Sequence, residues 1–211
     1  MKKKKIGIYN YPSSNSFSLI SALDNILVEH KVSSNIDDLL DLKKIIIPGV
    51  GNMKSFFYNI TPKLFAEKLK SFTKEGGTIY GICLGMQALL NKSSEGNIET
   101  LNIIEGKTMA LSEDFKTNMN VGFKKINYEK DELIFNKLFN GIENESLYFL
   151  HKYHCIINDN KIKTIHAKYE NKNIVAGLYS KKILGTQFHP ELSGRPGLQF
   201  LNNFCNLNFD L

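Results

Sequence analysis

Three short apolar runs, two of them stopped by glycine-bearing loops, alternate in this chain with stretches whose apolar residues recur at helical spacing. Few folds accept that pattern. The runs are Lys5 to Asn10, Lys44 to Ile47 and Thr78 to Ile82. They are too short for helices, and the last two have the continuous apolar texture of strands buried on both faces. Between them, Leu19, Ile20, Leu23, Ile26 and Leu27 place one apolar face on a helix expected from Phe17 to His30. A second helix is expected to start near Pro62, a favoured first-turn residue, and to stop before Gly76-Gly77. A third is expected from Leu84 to Leu90. Strand and helix alternating in this way predict a parallel sheet with helices on both faces.

After Gly106 the texture changes. Gly106 to Leu111, Val121 to Tyr128, Ser146 to Leu150, Lys161 to Tyr169, Ile174 to Tyr179 and Ile183 to Gln187 all have strand character, several in hairpin-like succession. A helix from Gly197 to Leu207 closes the chain. No linker or internal repeat divides it, so residues 1–211 are expected to form one α/β domain with an antiparallel extension. A chain of this length buries roughly 70% of its unfolded surface and needs no disulfide or metal staple. Its three cysteines, Cys83, Cys155 and Cys205, are too scattered for a disulfide framework. With no CxxC pair and no histidine at metal-ligand spacing, neither a metal site nor any other cofactor is expected.

The net charge of +6 raises nucleic-acid binding as a possibility, but the lysines are dispersed instead of striped along one segment. The one dense run, Lys2 to Lys5, has the character of a solvated tail. No apolar stretch follows it for a signal peptide, and no segment reaches the roughly 20 apolar residues of a membrane span. The expected setting is a reducing cytoplasm, with neither nucleic acid nor membrane as partner.

Chemistry concentrates in three segments. In Gly81-Ile82-Cys83-Leu84-Gly85-Met86-Gln87 a cysteine sits between a buried strand and a helix start, with glycine two residues to either side. That is the pattern of a nucleophile elbow: small neighbours permit the tight turn, and the helix amides favour a thiolate. A buried structural cysteine is the bland alternative. In Gln187-Phe188-His189-Pro190-Glu191 an extended backbone would put His189 and Glu191 on one side, so that Glu191 fixes the imidazole's tautomer. In Ile47-Pro48-Gly49-Val50-Gly51-Asn52 a glycine-flanked loop follows a buried strand and can turn backbone amides toward an oxyanion. Its spacing matches neither GxGxxG nor a phosphate-binding P-loop.

Together these segments resemble the class I (triad) glutamine amidotransferases, over nearly the whole chain. Within that class the chain is most similar to the glutaminase subunits of imidazole glycerol phosphate synthase, in histidine biosynthesis. The motifs that carry the resemblance are Pro48-Gly49-Val50-Gly51, Gly81 to Gln87, Tyr148-Phe149-Leu150-His151-Lys152-Tyr153 and Gln187 to Gly194, followed by Gly197-Leu198 and Asn203-Phe204. The resemblance implies a flavodoxin-like, doubly wound, mostly parallel sheet with an antiparallel extension. It implies that Cys83 attacks the carboxamide of glutamine, that His189 is general base and then acid, and that Glu191 orients it. Val50, Gly51 and Leu84 would form the oxyanion hole. Gln87 and the backbone around His151, Lys152 and Tyr153 would hold the amino-acid end of glutamine. The implied partner is a cyclase barrel subunit in a heterodimer, which receives the ammonia and forms imidazole glycerol phosphate and an aminoimidazole carboxamide ribotide.

The chain departs from that branch in three places. Val121-Gly122-Phe123-Lys124 stands where Gly-Trp-Asn is usual, Leu192 replaces a lysine, and Asn10-Tyr11-Pro12-Ser13-Ser14-Asn15 replaces Asp-Tyr-Gly-x-Gly-Asn. A paralogous subunit that supplies ammonia for sugar amidation in surface-polysaccharide synthesis is therefore the alternative. A stand-alone thiol hydrolase of the same fold and a non-catalytic interaction protein are more distant. The first usually lacks the His-x-Glu pair, and the second needs none of the three residues. His30, expected at a helix end, His154 and His166 have no assigned role.

Overall fold

The computed structural model describes residues 5–129 and 131–209; the lysines at 2–4 lie outside the described residues. The chain begins β1 (Ile6–Tyr9), α1 (Phe17–Asn25), β2 (His30–Ser33), a 3-10 turn (Ile36–Leu39), β3 (Lys44–Ile47), α2 (Met53–Phe56), α3 (Pro62–Lys74), β4 (Thr78–Ile82) and α4 (Leu84–Ala88). It continues with β5 (Lys92–Ser93), β6 (Ile98–Glu99), β7 (Lys107–Ala110), α5 (Leu111–Asp114), β8 (Asn120–Asn127), α6 (Leu133–Leu138), β9 (Ser146–His151) and β10 (Tyr153–Ile156). Last come β11 (Lys163–Tyr169), β12 (Lys172–Ser180), β13 (Ile183–Thr186), a 3-10 turn (Pro190–Leu192) and α7 (Gly194–Asn206).

The main sheet has nine strands in the order β2-β1-β3-β4-β13-β12-β11-β8-β9. The first five are parallel, and from β13 onward every pairing is antiparallel. Counting the parallel strands alone gives 2-1-3-4-5, the flavodoxin-like order. A small second sheet, β10-β7-β5-β6, stands beside it.

Alternation along the central strands divides the core into two. Ile6, Ile8, Ile46, Tyr80 and Ile82 face α1, α6 and α7, against Leu19, Leu23, Phe135, Phe200 and Phe204. Ile45, Ile47 and Ile79 face the other way, against Phe56, Phe65, Leu69 and Phe72 of α2 and α3. This two-sided burial is the reason β3 and β4 are apolar throughout. Lys44, the buried first residue of β3, donates from Nζ to the carbonyls of Phe204 (2.6 Å), Cys205 and Leu207 (both 2.8 Å). It thereby satisfies carbonyls at the end of α7 and ties that helix to the sheet.

Two helix boundaries differ from expectation by three residues or more. The first helix ends at Asn25 instead of His30: Leu27 takes a positive φ of 56°, and the chain turns at once into β2. His30 therefore opens an edge strand. That strand is four partly exposed residues without alternation, which is why no period marks it. The last helix starts at Gly194, one turn earlier than its apolar pattern indicates.

Candidate active site

The three chemistry-bearing segments follow the C-terminal ends of β3, β4 and β13, adjacent strands at the centre of the parallel sheet, where open α/β folds form their crevice. Cys83 connects β4 to α4 with φ 48° and ψ −104°, a backbone state costing about 1–3 kcal/mol that the surroundings must hold in place. Those surroundings explain the motif's glycines. A Cβ on Gly81 would lie 2.6 Å from the backbone of Gly85 and Met86, and one on Gly85 would lie 2.2 Å from the Ile47 carbonyl. Helix α4 is thus packed directly against β4 and β3. The Cys83 amide donates to Thr186 O at 2.6 Å, fixing the elbow to β13.

His189 and Glu191 meet by a different route from the one the sequence suggests. Pro190–Leu192 is a 3-10 turn, not an extended segment, and the turn brings the carboxylate back to the ring. His189 Nδ1 lies 2.7 Å from Glu191 Oε1, with both side chains buried. The carboxylate fixes the Nδ1–H tautomer, so Nε2 is the nitrogen left to exchange a proton with Cys83. Burial opposes charge on His189, but Cys83 and Glu191 outweigh it and hold the ring's pKa well above the usual histidine value. The His189 amide donates to Tyr148 O at 2.8 Å. Ser193 Oγ braces the turn by donating to the His189 carbonyl and accepting from the Tyr148 amide.

A cavity of about 370 Å³ opens over Cys83, large enough for one small amino acid. Of the ten residues singled out from sequence, all but Glu191 line it; Glu191 sits behind His189. The loop after β3 forms one wall. Gly51 there has φ 122°, a conformation natural to glycine, and any Cβ would collide with Ser13 Oγ at 2.2 Å. Tyr11 Oη lies 2.7 Å from the Val50 carbonyl and 3.1 Å from that of Pro48, which ties the loop from below. Leu84 opens α4, where backbone amides lack intrahelical partners.

On the opposite wall, the Tyr153 carbonyl accepts from Gln87 Nε2 (3.0 Å) and from His151 Nδ1 (2.8 Å). Gln87 also donates to Gln187 Oε1 at 3.1 Å, so both its amide hydrogens are used inside the protein and only its Oε1 faces a ligand. Lys152 is exposed at the rim. The sequence reading missed Glu95, on the turn between β5 and β6. This half-buried carboxylate lines the cavity and accepts from the Met53 amide at 3.1 Å, and burial raises its pKa. No periodicity or motif marked it. It also missed Gln187 as anything beyond a motif letter. Among the described residues no cluster of histidine, cysteine and carboxylate side chains fits a metal ion, and no helix is long and apolar enough to cross a membrane.

His151 is locked at both ring nitrogens. Nδ1–H donates to Tyr153 O, leaving Nε2 to accept from Asn120 Nδ2 at 2.8 Å. Burial, helped by the neighbouring positive charges of His189, His154 and Lys124, pushes its pKa down to about 3. In the unfolded chain a histidine titrates near about 6.5, so between these values only the unfolded state takes up the proton. Stability from this group is full above about pH 6.5 and falls on acidification by up to about 1.4 kcal/mol per pH unit. Urea melts of wild type and His151→Gln across that range should show a shallower acid slope in the variant. Equal slopes would remove His151 from the acid response.

A thiol elbow at the centre of a parallel α/β sheet, faced by an imidazole–carboxylate pair, is the frame of an enzyme of nucleophilic acyl transfer. The chain belongs to the class I glutamine amidotransferase family, whose model matches residues 8–207. It is 34% identical to imidazole glycerol phosphate synthase subunit HisH 1 of Campylobacter jejuni, over 96% of this chain and all of the relative. It is 33% identical to subunit HisH of Mannheimia succiniciproducens, over 90% of this chain and 94% of that one. The fold matches a chain in the structure of PurLQS from Thermotoga maritima with a TM-score of 0.73 at 20% identity, covering 97% and 98% of the two chains.

Proposed function

We propose that this glutamine amidotransferase is the glutaminase subunit of an imidazole glycerol phosphate synthase, releasing ammonia from glutamine for a cyclase barrel subunit. The observation that carries the chemistry is the buried His189–Glu191 pair, electrostatically coupled to a cysteine held in a strained elbow at the floor of an amino-acid-sized cavity. The Cys83 proton rests on His189, and the sulfur lone pair attacks Cδ of glutamine's carboxamide. The carbonyl electrons move to oxygen, toward the amides of Val50, Gly51 and Leu84. Collapse of this intermediate breaks the C–N bond, and His189 gives its proton to the departing ammonia. Water, deprotonated by His189, then cleaves the thioester to glutamate and free Cys83. Among the described residues Glu95 is the one carboxylate lining the cavity, and it suits the substrate's α-ammonium. Lys152 at the rim, with Gln87 Oε1, suits the rest of its polar end.

The partner reading rests on the names of the relatives and on an apolar surface at the cavity mouth. Val121 and Phe123 are exposed on β8, paired with Leu150 and Tyr148 of β9, and Leu192, Met119 and Leu150 continue the patch to the rim. A patch like this at a reaction site fits a protein interface. Phe123 and Leu192 make it more apolar than the tryptophan and lysine usual there. The isolated chain should hydrolyse glutamine slowly, because one misaimed oxyanion donor costs about 10²- to 10³-fold in turnover. A barrel that completes the site should restore about that factor. The test is to titrate the chain with a histidine-pathway barrel and with one from a polysaccharide cluster, each carrying its acceptor substrate. Stimulation by the second alone would assign the chain to sugar amidation, and full activity with no barrel would make it a stand-alone thiol hydrolase.

A further inference from the structure

We infer that Gln187 takes part in the thiol chemistry by donating a hydrogen bond from its side-chain amide to the Cys83 sulfur, holding that atom in place and stabilising its anionic form. Gln187 is fully buried, directly after β13, and its Nε2 lies 3.3 Å from Cys83 Sγ. The orientation of an amide is an inference from its partners, and here the partners leave one choice. The Tyr153 carbonyl can only accept, so the group that Gln87 points at it is the NH₂. The same NH₂ reaches Gln187 at 3.1 Å, which must therefore present its oxygen. Cys155, whose thiol burial holds protonated far above neutral pH, faces that same oxygen at 3.9 Å as a weak donor. The remaining end of Gln187, its NH₂, is aimed at the sulfur.

A neutral thiol gains little from such a donor, whereas a thiolate gains a charge-assisted bond in a water-poor setting. The effect therefore grows as the sulfur becomes nucleophilic. The titratable groups close enough to the sulfur to be affected by its charge are His189 after β13, Tyr11 after β1 and Cys155 on β10. Of these only His189 bears a charge near neutrality. Gln187 approaches from the buried side, so it can hold the thiolate before attack, while the Cys83 proton rests on His189. The chain Tyr153–Gln87–Gln187–Cys83 also links the cavity wall to the nucleophile. This inference rests on Cys83 being the nucleophile.

Iodoacetamide alkylation of Cys83, followed site by site by mass spectrometry across pH, reads the sulfur without requiring glutamine turnover. In Gln187→Met the rate near neutrality should fall about tenfold, with the rising limb moving about one pH unit higher, and the ultraviolet thiolate absorption should move with it. Gln187→Asn keeps an amide one methylene too short and serves if the methionine variant loses its cooperative melt; the same shift is expected. An unchanged pH profile in a folded variant overturns the inference. So does a rate lowered equally at every pH, which is the mark of a packing role alone. Failure of the nucleophile reading would look different: wild-type Cys83 would then react no faster than buried Cys205.

Discussion

Cys83→Ala is expected to abolish glutamine-dependent synthesis while leaving ammonia-dependent synthesis by the partner intact. The thioester step needs a sulfur at the elbow, and no second group in the cavity can replace it. Cys155 is buried with its thiol held protonated, and it reaches the cysteine site only through Gln187. A loss of about 10⁴-fold or more in glutamine turnover follows from removing the nucleophile of a triad. The fold should tolerate the change. Alanine removes one sulfur from a side chain that already borders a cavity, and the elbow's strain is held by Gly81, Gly85 and the bond from the Cys83 amide to Thr186 O. Adding ammonium salt to the variant in complex with its barrel separates the two half-reactions. Retained glutamine turnover would assign the nucleophile elsewhere, and loss of the ammonia-dependent reaction would mean that the variant no longer docks.

What the sequence made legible here was whatever close packing dictates. β3 and β4 are buried on both faces, and their bounds could be read residue by residue from apolar runs that stop at glycine-bearing loops. Gly81 and Gly85 mark the elbow because a Cβ at either would strike backbone, so the motif is a statement about helix–sheet distance. His189 and Glu191 were legible as a pair, but the way they meet was not. Two residues apart suggests an extended backbone, whereas the 3-10 turn depends on Ser193 bonding back to His189 and Tyr148, partners far apart in the chain. Glu95 and β10 were silent for the same reason. Each is defined by long-range pairing, with the Met53 amide and with β7, and carries no local period. Gln187 was visible as a letter, but its orientation follows only from three other side chains and a carbonyl.

His189→Asn should cost about 10⁴-fold or more in glutamine turnover, and Glu191→Gln distinctly less. His189 does two jobs at one atom. Its Nε2 takes the proton from sulfur and returns it to the leaving nitrogen, and an asparagine amide can do neither near neutral pH. Glu191 acts only through the ring, by setting the tautomer and balancing its charge across 2.7 Å. In Glu191→Gln the side-chain oxygen can still face Nδ1–H, because Glu191 Oε2 has no hydrogen-bond partner that the new NH₂ would displace. The tautomer is then kept and only the negative charge is lost. That charge supports the raised pKa of His189, so the variant's turnover should depend more strongly on pH through the range where the ring loses its proton. Burst and steady-state measurements on both variants, made with the barrel present, give the comparison. Near-wild-type hydrolysis in His189→Asn would place the general base on another residue. A Glu191→Gln loss equal to that of His189→Asn would mean that the carboxylate is as essential as the ring, and that the imidazole cannot hold its proton without it.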